Sequence, residues 1–196
     1  MSSTPLQSNT DGLQYILNAV NALPSAGGDN TQIDKLIERS ISGSYENDTV
    51  ASVGEYAFHG CKSLTAVVLP EATSIGQYAF RNCLALVSVS AQKVESIGQY
   101  AFYGCSALTK ADFSASSIAS YAFRNSKLDA LVLRASVVCS LSNANAFLDT
   151  PIKSGTGYIY VPAALVDSYS AATNWTTYAN QIRAIEDYPD ICGGTT

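Results

Sequence analysis

Three cysteines at a regular spacing are the residues of this sequence most suggestive of chemistry. Cys61, Cys83 and Cys105 are 22 residues apart, and His59 lies two residues before the first of them. Thiolates and imidazoles bind zinc, but a zinc site usually needs about four ligands at short spacings. A period of this length indicates instead one buried thiol per structural repeat, packed as a small apolar side chain. We therefore expect neither a metal nor a cofactor at these cysteines.

Other constellations that carry catalysis are missing from the sequence. A nucleophilic serine needs a positioned base, and the single histidine, His59, occupies a position that other repeats fill with Arg81, Tyr103, Arg124 and Leu148. No nucleophile-elbow, P-loop or dinucleotide-binding glycine pattern occurs. Four carboxylates that could pair for glycoside chemistry stand at no equivalent positions in the repeats: Glu71, Glu95, Asp112 and Asp129. The sequence predicts no enzyme.

Two further cysteines, Cys139 and Cys192, fall outside the regular spacing. The sequence is compatible with a disulfide between them and equally with two thiols, so it leaves their pairing open.

Composition limits the class of protein. Of 196 residues, 47% are hydrophobic, which is enough for a packed core, and the formal net charge is −5. This acidic balance gives no basic surface for nucleic acid. No apolar run reaches the ~18–20 residues of a membrane span. Because the first lysine is Lys35 and residues 13–23 are amphipathic, we expect no signal peptide.

An internal repeat organises most of the chain. The pattern Ser-apolar-Gly/Ala-x-Tyr-Ala-Phe begins at Ser52, Ser74, Ser96 and Ser117, and a fifth copy keeps only Ala146-Phe147. The phenylalanines stand at positions 58, 80, 102, 123 and 147, so successive steps are 22, 22, 21 and 24 residues. Self-similarity at such a period is typical of a solenoid. We expect about five coils of 21–24 residues.

Each coil is predicted to contain one short strand and one tight turn. A Leu-x-x-apolar-x-apolar segment follows each Ala-Phe pair, and its period of about 2 predicts a strand with one face inward. The Ala-Phe segment is too short for an α-helix and predicts a single helical or 3₁₀ turn. Residues that tolerate a left-handed backbone stand two positions after each phenylalanine: Gly60, Asn82, Gly104, Asn125 and Asp149.

These motifs carry a family resemblance. The run SIGQYAFRNC with its following leucine resembles the BspA-like class of bacterial leucine-rich repeats, over roughly residues 52–162. The fourth and fifth copies depart from it, with Ser126 and Thr150 in place of the cysteine. The resemblance implies an α/β fold, a right-handed leucine-rich-repeat solenoid with a parallel sheet. It also implies a bacterial protein that is surface-exposed or secreted and linked to adhesion.

Both flanks of the repeats are predicted to contain helix. Residues 1–30 contain an amphipathic helix, 10–24, and a linker; its apolar stripe packs either on the first coil or on a second copy, which would form a homo-oligomer. The stripe comprises Leu13, Ile16, Leu17, Val20 and Leu23. Residues 31–51 are expected to be the N-terminal cap and 163–196 a helical C-terminal cap that covers the last coil. This C-terminal sequence also resembles the tails of gut-bacterial BspA-like proteins, some from prophage regions, which implies a phage particle as an alternative location.

The outward side of the strands is the predicted binding surface. Side chains that alternate with the inward ones should form an exposed sheet face: Val68, Ser88, Ser90, Lys110, Asp112, Val132, Tyr158 and Tyr160. An ordinary solvated sheet without a partner is the alternative. A column formed by Tyr56, Tyr78, Tyr100 and Tyr121 is read as packing beside the phenylalanines, with a sugar-binding stripe as the alternative.

Together these features predict a non-catalytic binding or adhesion module that recognises a protein or a glycan on the exposed sheet face. The alternative is a structural, oligomer-forming component of a prophage tail or surface assembly.

Overall fold

The computed structural model describes residues 43–193. The amphipathic helix expected at 10–24, its linker and most of the expected N-terminal cap lie outside the described residues. Within 43–193 the chain forms a solenoid whose repeats each contribute one strand to a long parallel sheet. The α/β solenoid predicted from the repeat is therefore the observed fold.

Within the described residues the strands form two parallel sheets. In chain order the strands are β1 Gly43–Glu46, β2 Leu64–Val68, β3 Ser74–Ile75, β4 Ser88–Ala91, β5 Ser96–Ile97, β6 Lys110–Phe113, β7 Ser117–Ile118, β8 Ala130–Leu133, β9 Ser140–Leu141, β10 Tyr158–Val161 and β11 Ile182–Ala184. The larger sheet has the order β1-β2-β4-β6-β8-β10-β11, and the smaller has the order β3-β5-β7-β9. β1 arises within the segment expected to be the N-terminal cap.

The strands of the larger sheet are aligned so that equivalent residues of successive coils are neighbours. Val67 pairs with Val89, Val89 with Ala111, and Ala111 with Leu131. Because side chains alternate across a strand, this register sends one column inward and its neighbours outward in every coil. Residues at equivalent positions of successive repeats therefore lie side by side and form columns of similar side chains.

The phenylalanine column forms the centre of the core. Phe58, Phe80, Phe102, Phe123 and Phe147 are each 1% exposed or less. Their rings stack with centroid separations of 4.9, 5.2, 5.2 and 5.6 Å from one coil to the next. No coil can bury its own phenylalanine alone, so each depends on its neighbours.

The turn beside each of the first four phenylalanines has two left-handed residues, and the turn beside the fifth has one. The predicted positions Gly60, Asn82, Gly104, Asn125 and Asp149 all have positive φ, between 58° and 73°. The tyrosines Tyr56, Tyr78, Tyr100 and Tyr121 also have positive φ, between 56° and 60°, which the sequence did not lead us to expect. Because a left-handed residue interrupts an α-helix, the first four coils form successive tight turns here, and only the fifth has a 3₁₀ helix, Ala144–Phe147.

These turns are joined from coil to coil by backbone hydrogen bonds. The Phe58 amide donates to the Ala79 carbonyl at 2.7 Å, and the Gly60 amide donates to the Arg81 carbonyl at 2.8 Å. The same pattern recurs from Phe80 to Ala101 at 2.8 Å. Hydrogen bonds therefore fix the coil spacing on the turn side as well as in the two sheets.

Helical segments in the first part of the expected C-terminal cap, 163–196, cover the end of the last coil. The fifth coil contains the helix Pro151–Ser154; beyond β10 follow a 3₁₀ helix Ala163–Leu165, the helix Val166–Ala171 and a 3₁₀ helix Thr176–Gln181. Trp175 is fully buried, with its ring centroid 6.0 Å from that of Phe147, and its indole N–H donates to the Cys139 carbonyl at 2.6 Å. The ring of Tyr178 contacts Phe147 edge-on at 5.3 Å.

The last described residues do not belong to this cover. A 3₁₀ helix Ile185–Asp187 and a short helix Pro189–Cys192 turn back onto the outer side of the larger sheet. We call residues 185–193 the strap. None of the helices in the described part of the chain is both long and apolar enough to cross a membrane.

Candidate functional site

The outer side of the larger sheet, the sheet face, presents two columns of side chains. The strand register defines them: one contains Ser44, Ala66, Ser88, Lys110, Ala130 and Tyr158, and the other contains Glu46, Val68, Ser90, Asp112, Val132, Tyr160 and Arg183. All eight side chains predicted for the binding surface therefore lie in adjacent columns on one face. Their alternation with the buried strand residues was sufficient to find them.

The sheet face is not open along its whole length. The strap lies over β8 and β10 and reaches β6, so that Val132 is 0% exposed and Tyr160 is 3% exposed. Asp112 on β6 is also buried, at 6%. The expectation that these three side chains are exposed was wrong. The reason is that Val132 and Tyr160 offer an apolar surface, and the chain buries it under its own apolar C-terminal residues.

A polar network on β6 and its neighbours anchors the strap. The Arg134 guanidinium donates to both carboxylate oxygens of Asp112, at 2.7 and 2.8 Å, and the Gln92 amide donates to the same carboxylate at 3.2 Å. Arg134 also donates to the Cys192 carbonyl, and Lys110 Nζ donates to the Ile191 carbonyl at 2.5 Å. Hydrogen bonding to Asp112 raises the pKa of Arg134. Asp112 thus holds Arg134 in place to bind the end of the strap.

The part of the sheet face over β1, β2 and β4 is not covered by the strap, and we call it the open half. Its side chains on β2 and β4 are short: Ala66, Val68, Ser88 and Ser90 are all half-buried. A groove of about 460 Å³ lies at its edge, lined by Val68, Pro70, Glu71, Ser90, Gln92 and Lys93. Two of the predicted binding residues, Val68 and Ser90, line this groove, whereas Gln92, Lys93 and Glu71 were not predicted.

Charged groups border the groove. Lys93 Nζ lies 2.7 Å from a carboxylate oxygen of Glu71 in the preceding coil, and both side chains are about half exposed, at 58% and 49%. Such an exposed pair contributes little to stability. Both groups are therefore available to contact a ligand without cost to the fold, and together with the Gln92 amide they offer donors and acceptors beside a floor of small side chains.

At the far end of the sheet face an aromatic group meets a cation. The guanidinium carbon of Arg183 lies 4.6 Å from the ring centroid of Tyr158. Tyr158 remains half-buried beside Tyr160, with ring centroids 6.4 Å apart. Tyr158 therefore belongs to the packed border between sheet and strap.

The tyrosine column is a stack on the turn side of the solenoid. Successive rings are separated by 4.8, 5.2 and 5.2 Å and are close to parallel. The Arg81 guanidinium lies 5.4 Å from the ring of Tyr78 and 5.3 Å from that of Tyr103. Because neighbouring tyrosines occupy the ring faces on which a sugar would stack, the column packs against itself, whereas the sequence led us to expect packing beside the phenylalanines.

The cysteine column lies in the core and makes polar contacts. The thiols of Cys83 and Cys105 donate to the carbonyls of Phe58 and Phe80 in the preceding coils, each at 3.0 Å. In the last two coils the hydroxyls of Ser126 and Thr150 donate to the phenylalanine carbonyl of their own coil. The thiols are therefore more than apolar filling. Serine and threonine at these positions keep a side-chain donor to a phenylalanine carbonyl, but the bond lies within one coil and no longer joins it to the preceding coil.

The other cysteines and the histidine of the described residues were the remaining candidates for a metal or catalytic site. Among residues 43–193, no cluster of three or more His, Cys, Asp or Glu side chains is placed to hold a metal ion. Cys139 and Cys192 are both free thiols; Cys139 lies in the main core, and Cys192 belongs to the strap and packs against the sheet face. The ring of His59 lies edge-on to that of Tyr56, with centroids 5.7 Å apart, in a partly exposed turn.

The repeated strand, the tight turn and the inward leucine and phenylalanine columns define a leucine-rich-repeat solenoid. Its family is shown by sequence: the BspA type leucine-rich-repeat region matches residues 39–153 in six copies. The chain belongs to this family of repeat proteins. The first matched copy begins before the first repeat recognised above, so the family pattern extends toward β1.

Comparison with solved structures finds a further leucine-rich-repeat protein. The crystal structure of a leucine-rich repeat protein from Bacteroides ovatus ATCC 8483 is similar, with a TM-score of 0.43 and 25% sequence identity. The matched region covers 47% of this chain and only 30% of that one. None of the curated proteins compared with the chain matches it.

Proposed function

We propose that this protein is a non-catalytic recognition module of a bacterial cell or particle surface, and that it binds a protein or a glycan on the open half of its sheet face. One observation carries this proposal: a flat floor of small side chains, from Ala66 to Ser90, leads into a groove bordered by Lys93, Glu71 and Gln92. Flat parallel sheet is usually covered in proteins. Among residues 43–193 the strap covers only the part beyond β4, and no other described segment lies over the open half, which supports its use by a partner.

Family membership supports this role and the location. Proteins of the leucine-rich-repeat type serve in general as binding scaffolds built on a repeated sheet, and BspA-type repeats typically occur in surface proteins. The polar groups around the groove, Lys93, Glu71 and Gln92, can hydrogen-bond to a peptide backbone or to sugar hydroxyls. They include no nucleophile paired with a base, so the role that fits is binding without chemical change.

A binding screen with two matched variants tests the proposal. The full chain is screened against a glycan array and a panel of extracellular matrix proteins. Ser90→Arg places a long cation on the floor of the groove and should abolish binding to any ligand found. Val137→Arg makes a similar change at an apolar position that is 56% exposed, in the loop between β8 and β9 and not in the lining of the groove, and it should bind as the parent does. Equal loss in both variants, or no loss with Ser90→Arg, would contradict binding at the open half.

The oligomeric alternative predicts a different result. A structural component would assemble through surfaces of its own, so size measurements of the full chain would reveal a stable oligomer and the binding screen would stay negative. The same two variants would then distinguish assembly through the open half from assembly elsewhere.

A further inference from the structure

The apolar contacts of the strap are separate from the main core. Val132, Tyr160 and Cys192 form a cluster of their own on the outer side of the sheet, with Ile185 and Ile191 packed against it. The phenylalanine and leucine columns lie in the other cluster, on the inner side. The sheet lies between the two clusters, so release of the strap would leave the inner core intact. Local opening of such a segment requires less free energy than unfolding of the whole domain.

The sheet binds the strap through main-chain atoms. Lys110 and Arg134 donate to the carbonyls of Ile191 and Cys192, which are the last residues of the helix Pro189–Cys192. The carbonyls at a helix C-terminus have no partner within the helix and carry partial negative charge. Two cations at this point therefore recognise a helix end by its backbone, whatever its sequence, while Val132 and Tyr160 accept apolar side chains beside it.

Asp112 and Gln92 show that the cationic site is built into the sheet. The Asp112 carboxylate is buried and holds Arg134 through two hydrogen bonds, with Gln92 donating to it from the turn after β4. None of these three side chains belongs to the strap. The arrangement that receives the helix end would therefore persist when the strap leaves.

We propose that the covered part of the sheet face, over β6, β8 and β10, is a docking site for a polypeptide segment of a partner protein that ends in a helical turn. The strap is its intramolecular occupant, and the partner segment displaces it. The helix end binds to Lys110 and Arg134, and one or two apolar side chains replace Ile191 and Cys192 on Val132 and Tyr160. This site shares only Gln92 with the groove of the proposed function and does not depend on ligand binding there.

The cysteines allow the first step, opening of the strap, to be measured in the full chain. Cys192, on the side of the strap that faces the sheet, is 1% exposed, whereas Cys83 and Cys139 are fully buried in the main core. The native protein is treated with iodoacetamide and the labelled positions are followed by peptide mass spectrometry. Cys192 should react at least about tenfold faster than Cys83 and Cys139, because local opening suffices to expose it. Equal rates for the three thiols would overturn the proposal.

Two lysine variants test the anchoring. Lys110→Ala removes the donor to the Ile191 carbonyl and should increase the labelling rate of Cys192 several-fold, with Cys83 unchanged. Lys93→Ala, which removes a lysine paired with Glu71 on the open half, should leave the rate of Cys192 unchanged. A rate of Cys192 that is the same in all three proteins would show that Lys110 does not hold the strap and would overturn the proposed site.

The second step is binding of a segment in trans. In the full chain, Ile191→Asp with Cys192→Asp places charge in the apolar contact and should release the strap. A fluorescent synthetic peptide of residues 184–196 should bind this variant and not the parent, and the added change Arg134→Met should abolish that binding. Unchanged thermal unfolding of the repeats serves as the control for folding. Failure of the peptide to bind the folded, strap-released variant would overturn the proposal, as would dimerisation of the parent through exchange of its own straps.

Discussion

The ring of Phe80 lies parallel to that of Phe102 in the next coil, with centroids 5.2 Å apart and planes 1° from parallel. Both rings are fully buried, and Phe58 contacts the other face of Phe80 at 4.9 Å. This relationship explains how short repeats form a stable core, since every ring is covered by the coils before and after it. A change at one ring should therefore weaken both neighbouring coils.

We expect Phe80→Ala to lower the free energy of unfolding by about 3–5 kcal/mol, because it removes a large side chain from the middle of a continuous column. Chemical denaturation followed by circular dichroism measures this loss. Hydrogen exchange should show reduced protection in the coils of Phe58 and Phe102 as well. An unfolding midpoint equal to that of the parent would contradict the inward stacking.

Two substitutions at Cys83 separate the role of its volume from that of its thiol donor. Cys83→Ser should cost no more than about 1 kcal/mol, since a hydroxyl here can still donate to a phenylalanine carbonyl, as the Ser126 hydroxyl does within its own coil. Cys83→Leu should cost about 1–3 kcal/mol, because the site is fully buried and cannot take a larger side chain. Denaturant titration gives both values. An equal loss of unfolding free energy in the two variants would show that the site can accommodate a larger side chain.

Cys83 should also be slow to react in the native protein. The adjacent Cys105 thiol, together with burial, raises the pKa of Cys83 well above its ordinary value, so little reactive thiolate forms. Labelling should reach the rate of an unprotected thiol only in denaturant.

Gly98 is required by the closeness of two coils. A Cβ atom at this position would lie 2.6 Å from the backbone nitrogen of Gln77 in the preceding coil. Gly98→Ala should therefore cost about 1–3 kcal/mol, since neither backbone can move without breaking coil-to-coil hydrogen bonds. Ala119→Gly is the matched control, because it makes the reverse change at the equivalent position and should cost about 1 kcal/mol or less. Thermal unfolding of both variants tests the difference.

The C-terminal cover should lose stability in alkaline solution. Burial raises the pKa of Tyr178 to about 12, from its ordinary value of 10.0. Between these two values the unfolded chain loses the proton first, so the stabilising contribution is complete below pH 10 and is lost as the pH rises toward 12. The free energy of unfolding should fall across this pH range. Tyr178→Phe should make this fall less steep, by an amount that corresponds to the uptake or release of up to about one proton. Phe147→Leu perturbs the same contact without removing an ionisable group and should leave the fall as steep as in the parent.

Much of the candidate site could be predicted from the sequence because side chains alternate along a strand. The period of two placed Val68, Ser88 and Ser90 on the outer face, and the strand register confirms that they are neighbours. The groove could not be predicted, since Glu71 and Lys93 lie in loops after the strands and meet only when adjacent coils stack. The burial of Val132 and Tyr160 could not be predicted either, because the residues that cover them belong to the strap, which follows much later in the chain.

The sequence by itself determined the features that are encoded within one repeat. The 22-residue step, the inward phenylalanines and the left-handed positions such as Asn82 follow from local periodicity and from the backbone that each residue type tolerates. Only the tertiary structure decided which part of the sheet face is covered. The contact of Lys110 with Ile191 joins residues 81 positions apart. Such a contact forms because the folded sheet presents an apolar patch beside two cations, and no local pattern in either segment encodes that arrangement.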